Sequence, residues 1–258
     1  MRENSIERIV VGTDFSPLAT AALRFASGIA GGTGAELIVV YADTFDAPAE
    51  FTTAQVRRIA ESIERSKKKV HAQVELHVAR EIKQGVTWRA IVAEGLPAPS
   101  LSAIADAEGA DFITVGTHGR GGLQRLVMGS VAEAVIREAR VPVLTVRSTE
   151  VPAAVRRILC PVNAGDAASA AASHAARIAG ALGAKLTLFP VAAGAEEEQA
   201  EEVLRIAESG EYDMIVVGAE HRLIRDVTLF GTTSASITRH SLTPVLIVTH
   251  PPAGVQVK

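Results

Sequence analysis

The chain is poor in cysteine, in aromatic rings and in surplus charge of either sign, and each shortage removes a class of protein. A single cysteine, Cys160, permits no internal disulfide, so the fold is not a cross-linked scaffold. The 26 basic and 29 acidic residues give a formal charge of −3, which leaves no global positive field to hold nucleic acid or an anionic membrane surface. Any bound anion must be held locally. Apolar runs are short, as at Leu37–Val40 and Met214–Val217, far below the ~18 residues that span a bilayer. Met1 to Glu7 is polar rather than an apolar leader, so the expectation is a soluble chain in the cytoplasm. What is present is ample: 48% hydrophobic and 21% charged residues over 258 positions allow a real buried core.

Internal repetition organises the chain. Arg8-Ile9-Val10-Val11 recurs as Arg157-Ile158-Leu159-Cys160, and Ile29-Ala30-Gly31 as Ile178-Ala179-Gly180, both at an offset of 149. Further on, Asp111, Ile113 and Val115-Gly116 recur as Asp213, Ile215 and Val217-Gly218, and Pro142-Val143-Leu144 as Pro244-Val245-Leu246, now at an offset of 102. The sequence therefore reads as two copies of one unit, residues 1–150 and 151–258, the second having lost 47 residues from its middle.

Within the first copy, strand and helix signals alternate. Ile9 to Gly12 is a short continuous apolar run, the mark of a strand buried on both faces. Ser16 is a suitable N-cap and Pro17 a suitable first helical residue, so a helix is expected from Pro17 to about Ala30, stopping at Gly31-Gly32. A strand follows at Leu37 to Ala42, then one long amphipathic helix from about Thr52 to Gln84, carrying Val56, Ile59, Ile63, Val70, Val74 and Ile82. The next strand is Thr87 to Glu94, a helix capped by Ser100 ends at Gly109, and a fourth strand is Phe112 to Gly116. A last helix begins near Gly129-Ser130 and a fifth strand is Val143 to Arg147. Such alternation implies an α/β fold with right-handed crossovers and a doubly wound parallel sheet.

In sheets of this kind ligands lie at the carboxyl ends of the strands. After the fourth strand stands Gly116-Thr117-His118-Gly119-Arg120-Gly121-Gly122, and nine residues beyond Gly119 come Gly129 and Ser130 at a helix start. Glycines there admit backbone N–H groups to an anion, and the helix N-terminus adds further donors and partial positive charge. Phosphate is the natural guest, and on this reading a bulky residue at Gly129 abolishes binding while sparing the fold.

This Gly-x2-Gly-x9-Gly-Ser spacing, with Thr13-Asp14 after the first strand, the Gly95-Leu96-Pro97 turn and the closing Val141-Pro142-Val143, resembles the ATP-binding subgroup of the universal stress protein family. The resemblance covers essentially the whole chain as a tandem pair. It implies a five-stranded sheet of order 3-2-1-4-5, pairing of units through their fifth strands, and a role in stress regulation. It also implies ATP, ADP or AMP as ligand, with Mg or Mn held through the phosphates. Carried over position by position, Gly12, Thr13 and Asp14 would meet the adenine and ribose side, and Ala42 would line the base pocket. Val115, Gly116, His118, Gly119, Arg120, Gly129, Ser130 and Val131 would surround ribose and phosphates.

Plainer roles compete. Asp14 could cap the following helix, although Ser16 already fills that place. His118 is expected to act through its backbone, and Arg120 and Arg125 are placed to meet phosphate oxygens. His71 and His77, six apart, do not share a helix face, so no metal site is expected there; Trp88 reads as packing and Cys160 as inert core. In the second copy Asn163 replaces Asp14, Glu220 replaces His118 and His221 replaces Gly119, so its ligand site is expected to be degenerate. The missing residues correspond to an outer strand and its helix, leaving an order of 2-1-4-5. No Gly-x4-Gly-Lys loop, His-x-Gly-His pair or dinucleotide fingerprint occurs. A nucleotide-binding regulatory protein is therefore the leading expectation, with a possible homodimer and an unidentified regulatory partner protein. The alternatives are a scaffold or chaperone-like protein with an empty pocket, and a slow ATPase or phosphotransferase.

Overall fold

The computed structural model describes residues 5–43, 53–119, 128–163, 166–191, 195–220, 222–224, 227–229 and 232–250. In the first copy the elements are β1 (Arg8–Gly12), α1 (Pro17–Thr33), β2 (Glu36–Asp43), α2 (Thr53–Glu81), β3 (Trp88–Glu94), α3 (Pro97–Glu108), β4 (Phe112–Gly116), α4 (Ser130–Glu138) and β5 (Val143–Val146). The second copy supplies β6 (Arg157–Val162), α5 (Asp166–Leu182), β7 (Lys185–Pro190), α6 (Glu196–Ile206), β8 (Met214–Glu220), a small antiparallel pair β9 (Arg222–Ile224) and β10 (Val227–Leu229), α7 (Thr232–His240) and β11 (Val245–His250). The β9–β10 pair has no forerunner in the sequence pattern.

One nine-stranded sheet runs through both copies in the order β3-β2-β1-β4-β5-β11-β8-β6-β7. The first five strands have the order 3-2-1-4-5, and the second copy has the 2-1-4-5 remainder in mirror sequence. All neighbours are parallel except β5 and β11, which pair antiparallel with Val143 opposite Ile247 and Thr145 opposite Val245. Both faces of the sheet are covered: one core contains Phe25, Leu37 and Ile158 beneath α1, α2 and α5, the other Ile113, Leu101 and Ile215 beneath α3, α4, α6 and α7.

Three helix boundaries differ from the sequence expectation by three residues, α2 ending at Glu81 rather than near Gln84. Helix α1 continues through Gly31-Gly32 and stops at Gly34, whose left-handed conformation (φ 79°) turns the chain and whose N–H bonds Ala30 O at 2.8 Å. Gly32 remains helical because it makes room: a Cβ there would come within 2.8 Å of Leu182 on α5. Helix α3 begins at Pro97, three residues before the expected cap Ser100, because proline's fixed φ suits the first helical position and its missing N–H is not needed there. In the part of α2 whose side chains are described, Val74 and Val78 are fully buried and Val70 packs against the same core.

The lost 47 residues have a local consequence. Leu37 and Val39 on β2 are 0% exposed beneath α2, whereas Leu188, the counterpart of Val39 on the edge strand β7, is 50% exposed. Lys185 and Pro190 bound that edge, a pattern that discourages further strand pairing.

The copies are also joined through Arg177 of α5, which donates to Asp111 Oδ1 at 2.6 Å and to Ser5 O at 3.0 Å. His174, one turn away, has its Nδ1 buried without a partner among the described residues. Burial, reinforced by the Arg177 charge and opposed by Asp111, lowers its pKa from the ordinary 6.5. The folded state therefore resists protonation, and stability is expected to fall as pH drops through 6.5 and to level off below the depressed folded-state value. Urea midpoints from pH 7.5 to 5 should fall less for His174→Gln than for the unaltered chain; equal slopes would contradict this assignment.

Candidate functional site

The site grows from two adjacent strand ends. Past Gly12, β1 keeps contact with β2 through Thr13 N to Val40 O at 2.9 Å and then turns sharply. The turn is tied by side chains: Phe15 N donates to Thr13 Oγ1 (3.2 Å), Ser16 N to Asp14 Oδ1 (3.0 Å) and Ala19 N to Ser16 Oγ (3.3 Å). Ser16 is thus the N-cap of α1, and the Asp14 carboxylate stands before the helix with Oδ2 against Gly119. Phe15 sits at φ 64°, a left-handed conformation that costs a bulky residue energy.

Beside it, β4 ends at Gly116. Thr117 N bonds Val146 O (2.9 Å), Gly129 N bonds Thr117 O (2.7 Å), and Ser16 Oγ reaches His118 O at 3.4 Å. These links bring the start of α4 against the loop that leaves β4. Helix α4 has Gly129 as N-cap, which offers no side-chain acceptor, so its opening N–H groups are available to a ligand.

Between the two strand ends lies a cleft of about 370 Å³. Val40, Ala42, Pro97, Leu101 and Val115 make an apolar end; Thr13, Asp14, Thr117, His118, Gly119 and Ser130 make the polar one. Of the residues expected from sequence, Gly12, Thr13, Asp14, Ala42, Val115, Gly116, His118, Gly119, Gly129, Ser130 and Val131 all line it. Arg120, and Arg125 with it, lies outside the described residues. Ala19, Val40, Pro97, Leu101, Thr117 and Ala132 also line it and were not named as site residues; Pro97 carried a signal through the Gly95-Leu96-Pro97 turn, and Thr117 and Ala132 through their places in the two glycine motifs.

The glycines have a packing role of their own. A Cβ on Gly116 would lie 2.7 Å from Ala19 N, and one on Gly129 2.7 Å from Thr117 O. Both approaches are to backbone, so a bulky residue at Gly129 disturbs the loop itself, which corrects the expectation that it spares the fold. At Gly119 the neighbour is the movable Asp14 carboxylate, at 2.7 Å.

His118 is engaged by both backbone and ring. Its Nδ1 lies 3.1 Å from Thr117 Oγ1, while Nε2 is buried without a partner among the described residues. Among the described cleft residues it alone has such an orphaned side-chain atom, a place a ligand would satisfy. Among the described residues no three His, Cys, Asp or Glu gather to hold a metal. Burial pushes the Cys160 thiol up to about 12, so it is inert packing.

The corresponding region of the second copy is bonded across. Thr233, at the place of Val131, donates to Glu196 O (3.1 Å) and Gln199 Oε1 (3.4 Å); Gln199 holds the place of Pro97. Ser234, at the place of Ala132, donates to Gly218 O at 2.6 Å.

Comparison with known proteins agrees with this architecture. Residues 5–147 and 192–249 match the model of the universal stress protein family. A universal stress protein of Methanocaldococcus jannaschii is 33% identical over 150 residues, 56% of this chain and 84% of that protein. One from Mycobacterium tuberculosis is 30% identical over 146 residues, and the match spans only 45% of its length. The crystal structure of a universal stress protein from Archaeoglobus fulgidus shares the fold at a TM-score of 0.69 and 16% identity, covering 96% of this chain and 99% of its own. No described helix is long and apolar enough to cross a membrane. With the 3-2-1-4-5 sheet present and both flanks of the chain matching one family model, the chain belongs to the universal stress protein family.

Proposed function

We propose that the protein binds an adenine nucleotide in the cleft between β1 and β4 and acts as a cytoplasmic, nucleotide-responsive regulator in a stress response. The observation that carries this reading is the cleft's division into an apolar end and an end built from glycine backbone, the uncapped start of α4 and an orphaned His118 Nε2. A volume of about 370 Å³ falls within the ~300–1,000 Å³ of small-molecule sites. The base would lie against Val40, Ala42 and Leu101, and the phosphates would meet the N–H groups of the 116–119 turn and of α4. Asp14 is the one carboxylate among the described lining residues, so a Mg or Mn ion would be held chiefly by the phosphates themselves.

Residues 1–150 form the binding unit in this reading, and residues 151–258 are its built-in partner, joined through β5 and β11. In support of this, Thr233 and Ser234 bond the start of α7 to Glu196 of α6 and Gly218 of β8, and Glu196, Glu197 and Glu198 at the start of α6 add charge hostile to phosphate. Calorimetric titration with ATP is expected to give one site per chain. Two sites of similar affinity would overturn the assignment of the second copy, and no heat together with no rise in melting temperature at millimolar ATP would overturn the nucleotide reading.

A further inference from the structure

Asp14 is held in place by a residue in an unfavourable conformation, which raises the question of what keeps that residue there. Phe15, at φ 64°, follows Asp14 directly, and its ring is packed on two others. Tyr41, at the end of β2, lies 5.2 Å away centroid to centroid, and His77, on α2, meets it edge-on at 5.3 Å and 83°. His77 Nε2 lies 3.3 Å from Thr20 Oγ1, and that hydroxyl donates its hydrogen to Ser16 O, the residue after Phe15. A continuous set of contacts therefore leads from α2 through the first turn of α1 to the carboxylate in the cleft. Left-handed backbone at a bulky residue persists only where surroundings over-determine it.

We propose that His77 is a positioning and regulatory residue for the cleft: its neutral ring, wedged between Phe15 and Thr20, holds the 13–16 turn and so presents Asp14 to the ligand, and protonation of His77 releases that turn. This rests on the nucleotide reading of the cleft. Among the described residues the charged groups facing His77 are Arg24 on α1 and Arg80 and Glu81 on its own helix; Tyr41 is the titratable group from β2. Arg24 is paired with Glu81 at 2.6 Å, which withholds part of that carboxylate from a charged imidazole. Burial, with the two arginines and against Glu81, keeps the His77 pKa below the ordinary 6.5, so the ring is neutral at pH 7.5 and becomes charged only in acid.

The test has two arms. In the first, amide resonances of Asp14, Phe15 and Ser16 are followed from pH 7.5 to 5; they should move with the midpoint of the His77 ring and stay still in His77→Phe, which keeps an aromatic wedge without a charge. Amides that ignore the His77 midpoint would overturn the proposal whether or not a nucleotide binds. In the second arm, ATP affinity is measured at both pH values in both proteins, so that titration of the nucleotide cancels. The unaltered chain should lose about tenfold more affinity than His77→Phe, as expected when the competent turn becomes a minor state. Equal losses overturn the regulation. Absence of binding at pH 7.5 in both proteins overturns the nucleotide reading, and the first arm then decides the coupling alone.

Discussion

Replacing Gly116 by valine is expected to lower stability by about 3 kcal/mol or more, the upper range for forcing volume into a packed interior. The new Cβ would stand 2.7 Å from Ala19 N and Leu18 C and 2.9 Å from Leu18 O. These are backbone atoms of the first turn of α1 and cannot swing aside. Relief would require α1 to move off the sheet, and α1 carries Leu23, Phe25 and Ile29, each at most 1% exposed, into the core. Gly119→Val is the matched comparison. Its nearest obstacle is Asp14 Oδ2, the end of a side chain, so stability should change by no more than about 1 kcal/mol while nucleotide affinity falls. Denaturant midpoints for the two variants distinguish the roles; comparable losses would show that the 119 position is also a packing site.

Asp111→Ala is expected to cost about 2 kcal/mol, because it removes three hydrogen bonds at once, one of them from a part-buried ion pair. Asp111 Oδ2 accepts the N–H groups of Glu7 and Arg8 at 2.7 and 3.0 Å, and Oδ1 accepts from Arg177, with the two side chains only 14% and 21% exposed. The repeat supplies an internal control. Asp213 accepts Arg156 N and Arg157 N at 2.7 and 2.9 Å in the same manner, yet has no ion pair among the described residues. Asp213→Ala should therefore cost less, and the difference measures what Arg177 contributes across the two copies. Equal losses in urea unfolding would mean that the ion pair contributes nothing beyond the shared amide bonds.

Much of the fold was legible because its signals are local or periodic. β4 falls on the expected residues Phe112 to Gly116 because the short run Phe112-Ile113-Thr114-Val115 is bounded by Asp111 on one side and the glycine loop on the other. Ser16-Pro17 marked the start of α1 correctly, since capping chemistry acts within three residues. The end of α1 falls past Gly31-Gly32, which reads locally as a stop, because both remain helical, Gly31 beside Val86 and Gly32 against Leu182, 150 residues away from it in the chain. The start of α3 was misplaced because a hydroxyl at Ser100 was preferred over Pro97, although proline needs no cap partner.

The cleft shows the same division. Spacing picked out Gly116, Gly119, Gly129 and Ser130, which belong to a motif readable in one dimension, and the family resemblance added Asp14. Leu101 and Val40 line it with nothing in the sequence to mark them, because an apolar residue in a wall looks like one in a core. The second copy's changes at Asn163 and His221 were visible as substitutions, but the bonds of Thr233 to Glu196 and Gln199 were not, since they join α7 to a helix more than 30 residues earlier.

The sequence by itself determined that one cysteine permits no internal disulfide, that a charge of −3 leaves no global positive field, and that short motifs recur at offsets of 149 and then 102 residues. It did so because composition and repeat spacing are properties of the chain as a string. Only the tertiary structure decided that the glycines at 116 and 129 serve backbone packing as well as the cleft, and that His77 stands behind Phe15. Those facts depend on atoms brought within a few ångströms from distant positions, and no local pattern of residue types specifies such an approach.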